Sequence, residues 1–163
     1  MRASAFLPRS KSKTVFVLAM VSYTWAAAAV IGTVAVAFGA QRPPLGVFLR
    51  RGYPTLEVIS LVVLAPVIES FILIGCIELA RLLKAPVWLQ ITCAATISAF
   101  MHVPISHAFV VAPGWFIMAA AYLIWRERAS WKVGFLVIAS IHALLNLNGA
   151  IWTISYAIHH ANA

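Results

Sequence analysis

The chain has 163 residues, of which 63% are hydrophobic and only 10% carry a charge. A soluble globular domain has about 45–50% apolar and about 25% charged residues, so this composition excludes an ordinary soluble domain. A net charge of +8 is also found in nucleic-acid-binding proteins. Here, however, the basic residues form short clusters between long apolar runs, as in membrane-protein loops. The sequence therefore predicts a single all-α, polytopic membrane domain that contacts the lipid bilayer and no nucleic acid.

About five apolar runs follow a basic tail over residues 1–13. A transmembrane helix needs about 20 mostly apolar residues, so five spans and their loops use nearly the whole chain. The first run is longer than the roughly 7–15 apolar residues of a cleaved signal peptide, which favours a membrane anchor. The predicted spans cover about residues 15–40, 57–79, 86–102, 109–125 and 133–156. Tryptophans near the predicted span ends suggest an aromatic belt: Trp88, Trp115, Trp125, Trp131 and Trp152.

The basic clusters predict the orientation, because short cytoplasmic loops carry an excess of Lys and Arg. A cytoplasmic N-terminus leaves only Arg42, Arg50 and Arg51 outside. The bases then inside are Arg2, Arg9, Lys11, Lys13, Arg81, Lys84, Arg126, Arg128 and Lys132. We therefore predict that the N-terminus is cytoplasmic. At the inner end of the second span, Glu78 and Arg81 are three residues apart, which predicts an interfacial ion pair.

Four polar side chains inside the predicted spans are candidates for a functional site: Glu69, His102, His142 and Asn146. Glu69 is about 12 residues, or about 18 Å, from either end of the second span. A carboxylate at that depth costs at least about 2.5–3.5 kcal/mol, which makes it a functional candidate by default. His142 lies about 15 Å into the fifth span, with Asn146 one turn further on the same face, and His102 lies toward the outer end of the third. These depths allow one cluster. Polar contacts that only hold helices together are the alternative.

At these residues the chain resembles the CPBP family of intramembrane proteases, also described as CAAX-processing or bacteriocin-processing (Abi) proteins. The family pattern is EExxxR in one helix, FxxxH in a later helix, and HxxxN or HxxxB near the end. The first motif corresponds to APVIESFILIG, with Glu69 at the first glutamate. The second corresponds to SAFMH, with His102, and the third to HALLN, with His142 and Asn146.

The resemblance implies a glutamic-type peptidase. Glu69, assisted by His102, would activate a water to attack a peptide carbonyl, and His142 with Asn146 would stabilise the oxyanion. The implied substrate is a membrane-anchored protein or peptide, cut near its C-terminal tail. We expect no cofactor, and a location in the inner membrane of a bacterium.

Three positions depart from the family pattern. Ser70 replaces the second glutamate, Ile74 replaces the arginine, and Ser98 replaces the phenylalanine. These departures leave open a non-catalytic immunity or scaffold protein. A proton-coupled carrier is a third class, since intramembrane Glu and His also form proton relays, but no internal repeat supports it.

Two further expectations concern ligands. Glu69, His102 and His142 could instead supply three ligands to a catalytic zinc with an open fourth position. The residues beside the motifs that are candidates for substrate binding are Ser70, Phe100 and His107.

Overall fold

The computed structural model describes residues 12–37, 54–102 and 105–161, and every regular element within these ranges is helical. A π-helical segment, Ser60–Leu64, joins α2 to α3 without a break. The helices are α1 Lys13–Ala37, α2 Pro54–Ile59, α3 Ala65–Leu82, α4 Val87–Phe100, α5 Ile105–Arg128 and α6 Trp131–Ala161. The all-α prediction is confirmed.

Four helical stretches are long and apolar enough to cross a membrane: Lys13–Val34, Ser60–Leu82, His107–Arg128 and Trp131–Asn148. Helix α4 is apolar but has only 14 residues, about 21 Å, against a hydrocarbon core of about 30 Å. The molecule is therefore an integral membrane helix bundle. Four predicted spans are helices of full spanning length, and the third is a shorter helix.

The observed helix ends differ from the predicted ones. Helix α5 begins at Ile105 and ends at Arg128, and α6 runs from Trp131 to Ala161, so both exceed the spans predicted over 109–125 and 133–156. The added residues include the charged side chains of Arg126, Glu127, Arg128 and Lys132. Long basic side chains can extend to the interface while their helix continues. The second span likewise begins earlier and ends later than 57–79, and the loop that holds Arg42, Arg50 and Arg51 lies outside the described residues.

Helix α5 forms the centre of the bundle. It packs against α1, α3, α4 and α6, and 56% of its spanning window is buried, compared with 17–28% for the other three windows. Consequently Trp115 and Trp125 are only 2% and 5% exposed, and the belt prediction is wrong for both. Trp88 and Trp131 are exposed, as a belt requires. The side chain of Trp152 lies outside the described ones.

A charged cluster connects α3 to α5 at one end of the bundle. The predicted pair is confirmed, because Arg81 Nη1 lies 3.2 Å from both carboxylate oxygens of Glu78. Glu78 also accepts hydrogen bonds from Arg126 Nε at 2.5 Å, Arg126 Nη2 at 3.1 Å and the Tyr122 hydroxyl at 2.7 Å. The ends of α3 and α5 that carry basic residues therefore lie together, as a common membrane side requires.

Candidate active site

Three helical elements bring Glu69, His102 and His142 together. Glu69 is in α3, His102 lies two residues beyond the end of α4, and His142 is in α6. Glu69 Oε2 lies 3.7 Å from His102 Nε2 and 3.6 Å from His142 Nε2. One carboxylate oxygen thus faces two imidazoles, at distances slightly longer than the 2.7–3.2 Å of a direct hydrogen bond. A water or a small shift of a side chain closes such a gap.

The end of α4 sets the tautomer of His102. The last carbonyls of an α-helix lack intrahelical partners, and the Ser98 carbonyl lies 3.0 Å from His102 Nδ1. A carbonyl only accepts, so Nδ1 must carry the hydrogen. In the neutral ring, Nε2 then presents its lone pair toward Glu69. Glu69 and His102 can therefore share one proton between Oε2 and Nε2.

Trp115, in the central helix α5, contacts both imidazole rings. Its ring meets His142 edge-on at 5.0 Å between centroids and lies 5.7 Å from the ring of His102. The His142 side chain is only 6% exposed. Sequence reasoning assigned Trp115 to the aromatic belt. Its position six residues, about 9 Å, inside the predicted span was the signal that it lies too deep for a belt.

Asn146 lies one turn beyond His142 and connects α6 to the π-helical segment. Its Nδ2 donates to the Leu61 carbonyl at 2.9 Å. A primary amide has two N–H groups, so this hydrogen bond leaves the second for a ligand. Asn146 therefore stabilises the wall of the site, and it still has a donor for a developing oxyanion.

A cavity of about 1130 Å³ lies beside these four residues and is lined by all of them. It exceeds the roughly 300–1,000 Å³ of a typical small-molecule site, so several residues of a peptide fit within it. Most other wall residues are apolar and come from α1, α2, the π-helical segment, α5 and α6; they include Trp25, Ala28, Leu56, Leu61, Val111 and Met118. The wall contains the start of α2 and the α4–α5 connection, at the end of the bundle opposite Glu78.

The three candidate substrate-binding residues occupy different environments. His107 lines the cavity, and its ring lies 5.8 Å from that of His102. Ser70 is fully buried, and Phe100 is exposed and packs edge-on against Phe109 at 6.3 Å. Neither is part of the cavity wall. Of the three, His107 is the one placed to meet a ligand there.

The departures from the family pattern lie within the packed helices. Ser70 and Ile74 of α3 and Ser98 of α4 are 0%, 8% and 2% exposed, and none of them lines the cavity. The Ser70 and Ser98 hydroxyls are buried, with no hydrogen-bond partner among the described residues. These three side chains therefore pack between helices and do not contribute to the cavity wall.

Within the described ranges, no group of three His, Cys, Asp or Glu is arranged to hold a metal ion. The zinc alternative at Glu69, His102 and His142 stays a prediction for chelation to test. Comparison of the chain with protein-family models, with curated proteins and with solved structures gives no match. The resemblance to the CPBP family rests on the three motifs alone.

Proposed function

We propose that this chain is an intramembrane endopeptidase in which Glu69 and two histidines activate a water for attack on a peptide carbonyl. The observation that supports it most is the position of Glu69 Oε2, 3.7 and 3.6 Å from the Nε2 atoms of His102 and His142. The adjoining cavity is large enough for a peptide. Ionisable groups that face such a space inside a membrane protein mark functional sites by default.

The reaction assigns a separate task to each group. The water oxygen bonds to the substrate carbonyl carbon, and the water proton passes to Glu69 and His102. Hydrogen bonds from His142 Nε2 and from the second N–H of Asn146 stabilise the oxyanion. When the C–N bond breaks, the proton held by Glu69 and His102 passes to the leaving nitrogen.

The cavity and its location favour a membrane-anchored substrate. Its wall is mainly apolar, which suits a hydrophobic segment at the membrane, and the family resemblance favours a C-terminal tail. With a cytoplasmic N-terminus, the cavity opens away from the cytoplasm, because it lies opposite the basic ends of α3 and α5. We place the protein in the inner membrane of a bacterium, where it would trim the anchored tail of an exported protein.

Co-expression tests the activity. The protein is produced with proteins that are encoded nearby and have a C-terminal hydrophobic tail, and their size is followed on gels. We expect Glu69→Gln to abolish a wild-type size shift at equal membrane accumulation. Glu127→Gln makes the same chemical change at an exposed residue near the end of α5 and should leave the shift intact. Wild-type processing by Glu69→Gln would favour the scaffold alternative.

Chelation separates the glutamate mechanism from the zinc alternative. The cleavage of purified protein is measured with 1,10-phenanthroline and after zinc is added back. Unchanged cleavage supports direct water activation by Glu69. Loss that zinc restores would favour a metal held by Glu69, His102 and His142.

Thiol labelling tests the side on which the cavity opens. Leu56 lines the cavity, whereas Leu83 is exposed in the α3–α4 connection at the other end. Each is changed to cysteine after Cys76 and Cys93 are replaced by alanine. In intact cells, an impermeant reagent should label Leu56→Cys and spare Leu83→Cys. The reverse pattern would contradict an outward opening.

A further inference from the structure

The hydroxyl of Thr24 differs from those of Ser22 and Thr33 on the same helix, α1. Serine and threonine in helices commonly donate to the carbonyl four residues earlier. Ser22 does so to Leu18 at 3.0 Å, and Thr33 does so to Ala29 at 2.8 Å. Thr24 is 6% exposed, and its Oγ1 is buried with no hydrogen-bond partner among the described residues. A buried polar group without a partner is rare enough to require an explanation.

Thr24 lies next to the candidate active site. It is part of the cavity wall, and its Cγ2 faces Gly114 so closely that a Cβ added there would be 2.9 Å away. The next residue, Trp115, contacts the rings of His102 and His142. Helix α1 therefore reaches the site through Thr24, although the motifs lie in other helices.

A peptide segment in this cavity needs hydrogen-bond partners. The bond to be cleaved must leave any helical conformation, and its N–H and C=O groups are then unsatisfied in apolar surroundings. Among the described wall residues of α1, Ala28 and Ala29 have no polar side-chain atom, and Trp25 is 48% exposed. Thr24 is thus the described wall residue of α1 that carries a buried polar side-chain atom without a partner. A hydroxyl both donates and accepts, so it can bind either backbone group.

We propose that Thr24 is a substrate-positioning residue whose hydroxyl binds the backbone of the peptide segment that lies beside Glu69. The inference rests on the proposed peptidase function. Because a backbone contact is independent of side chains, Thr24 should favour an extended chain over a particular sequence. Because Oγ1 is itself buried, the hydroxyl reaches the peptide by rotation about χ1, for which threonine in a helix has two accessible rotamers, and it acquires its hydrogen bond when substrate enters.

Three matched variants isolate the hydroxyl. Thr24→Val removes it and preserves the shape of the side chain, Thr24→Ser retains it, and Thr33→Val is the control for loss of a hydroxyl elsewhere on α1. The probe is a fluorescent domain fused to the hydrophobic tail that the wild type cleaves, in phosphatidylethanolamine–phosphatidylglycerol vesicles. We expect Thr24→Val to raise KM about tenfold at nearly unchanged kcat, the pattern for loss of uniform binding. Thr24→Ser and Thr33→Val should stay near wild type.

Binding without cleavage gives a second measurement. In a Glu69→Gln background, Thr24→Val should weaken binding of the uncleaved probe by the same tenfold factor. Wild-type KM and binding in Thr24→Val would overturn the inference. An equal rise in KM in Thr24→Val and Thr24→Ser, together with a lowered unfolding midpoint, would also overturn the inference. That pattern would mean that the variants act by disturbing the packing of Thr24. If the proposed peptidase function were wrong, Glu69→Gln would cleave the probe as well as the wild type does. That result involves a different variant, so it is distinguishable from a failure of the Thr24 inference.

Discussion

Replacing Glu78 with glutamine should destabilise the bundle at the end opposite the cavity. The change removes the charge and converts one acceptor oxygen into a donor that faces Arg126. Hydrogen bonds to charged groups contribute about 1.5–3 kcal/mol. The Glu78 and Arg126 side chains are 33% and 29% exposed, so solvent screening reduces this value, and the pair with Arg81 adds only about 0.2–0.5 kcal/mol. We expect a loss of about 2 kcal/mol, which lowers the unfolding midpoint by roughly 4–8 °C.

Two measurements check this expectation. Unfolding by sodium dodecyl sulfate in mixed micelles gives the free energy, and far-UV circular dichroism on heating gives the midpoint. Glu127→Gln, next to Arg126 but exposed, is the control and should match the wild type. A double-mutant cycle of Glu78→Gln with Arg126→Gln should show coupling of about 1 kcal/mol or more. A Glu78→Gln loss within about 0.5 kcal/mol, together with negligible coupling, would refute the reasoning.

Three further variants test the site and its packing. His102→Gln should lower probe cleavage at least about 100-fold with little change in unfolding free energy, because its side chain is 23% exposed. His142→Gln should lower cleavage and should also lower the free energy of unfolding by about 1–3 kcal/mol. The reason is that the His142 side chain is 6% exposed and packs against Trp115. Equal stability of the His102 and His142 variants would contradict that packing. Gly114→Ala should cost about 1–3 kcal/mol, because the new Cβ would lie 2.9 Å from Thr24 Cγ2. Adding Thr24→Ser should restore part of that loss, and no recovery would contradict the close approach of α1 and α5.

Much of the fold follows from the apolar runs, because a chain in lipid must form the hydrogen bonds of its backbone N–H and C=O groups within helices. Features set by packing between helices could not be predicted. The π-helical segment contains Leu61, whose carbonyl accepts from Asn146, 85 residues later in the chain. The burial of Trp115 and Trp125 depends on α5 lying at the centre of the bundle. No local pattern specifies that position.

The residues of the candidate site divide in the same way. Glu69, His102 and His142 were identifiable because ionisable groups are rare inside membrane spans. The contact of Glu78 with Arg126 spans 48 residues, so only the packing of α3 against α5 reveals it. Thr24 has no distinguishing sequence signal, because a threonine in an apolar helix ordinarily bonds its own backbone.

The distance between the Glu69 carboxylate and the two imidazoles tests the central claim most directly. The protein is labelled with glutamate that carries 13C in the side-chain carboxyl and with histidine that carries 15N in the ring, and carbon–nitrogen distances are measured by solid-state NMR in lipid. The chain has only four acidic residues and five histidines, so few pairs of labels contribute to the spectrum. We expect one glutamate carboxyl carbon within about 5 Å of nitrogens from two histidines, and this signal should disappear in Glu69→Gln. A spectrum in which no glutamate lies near any histidine nitrogen would contradict the assembly of the site.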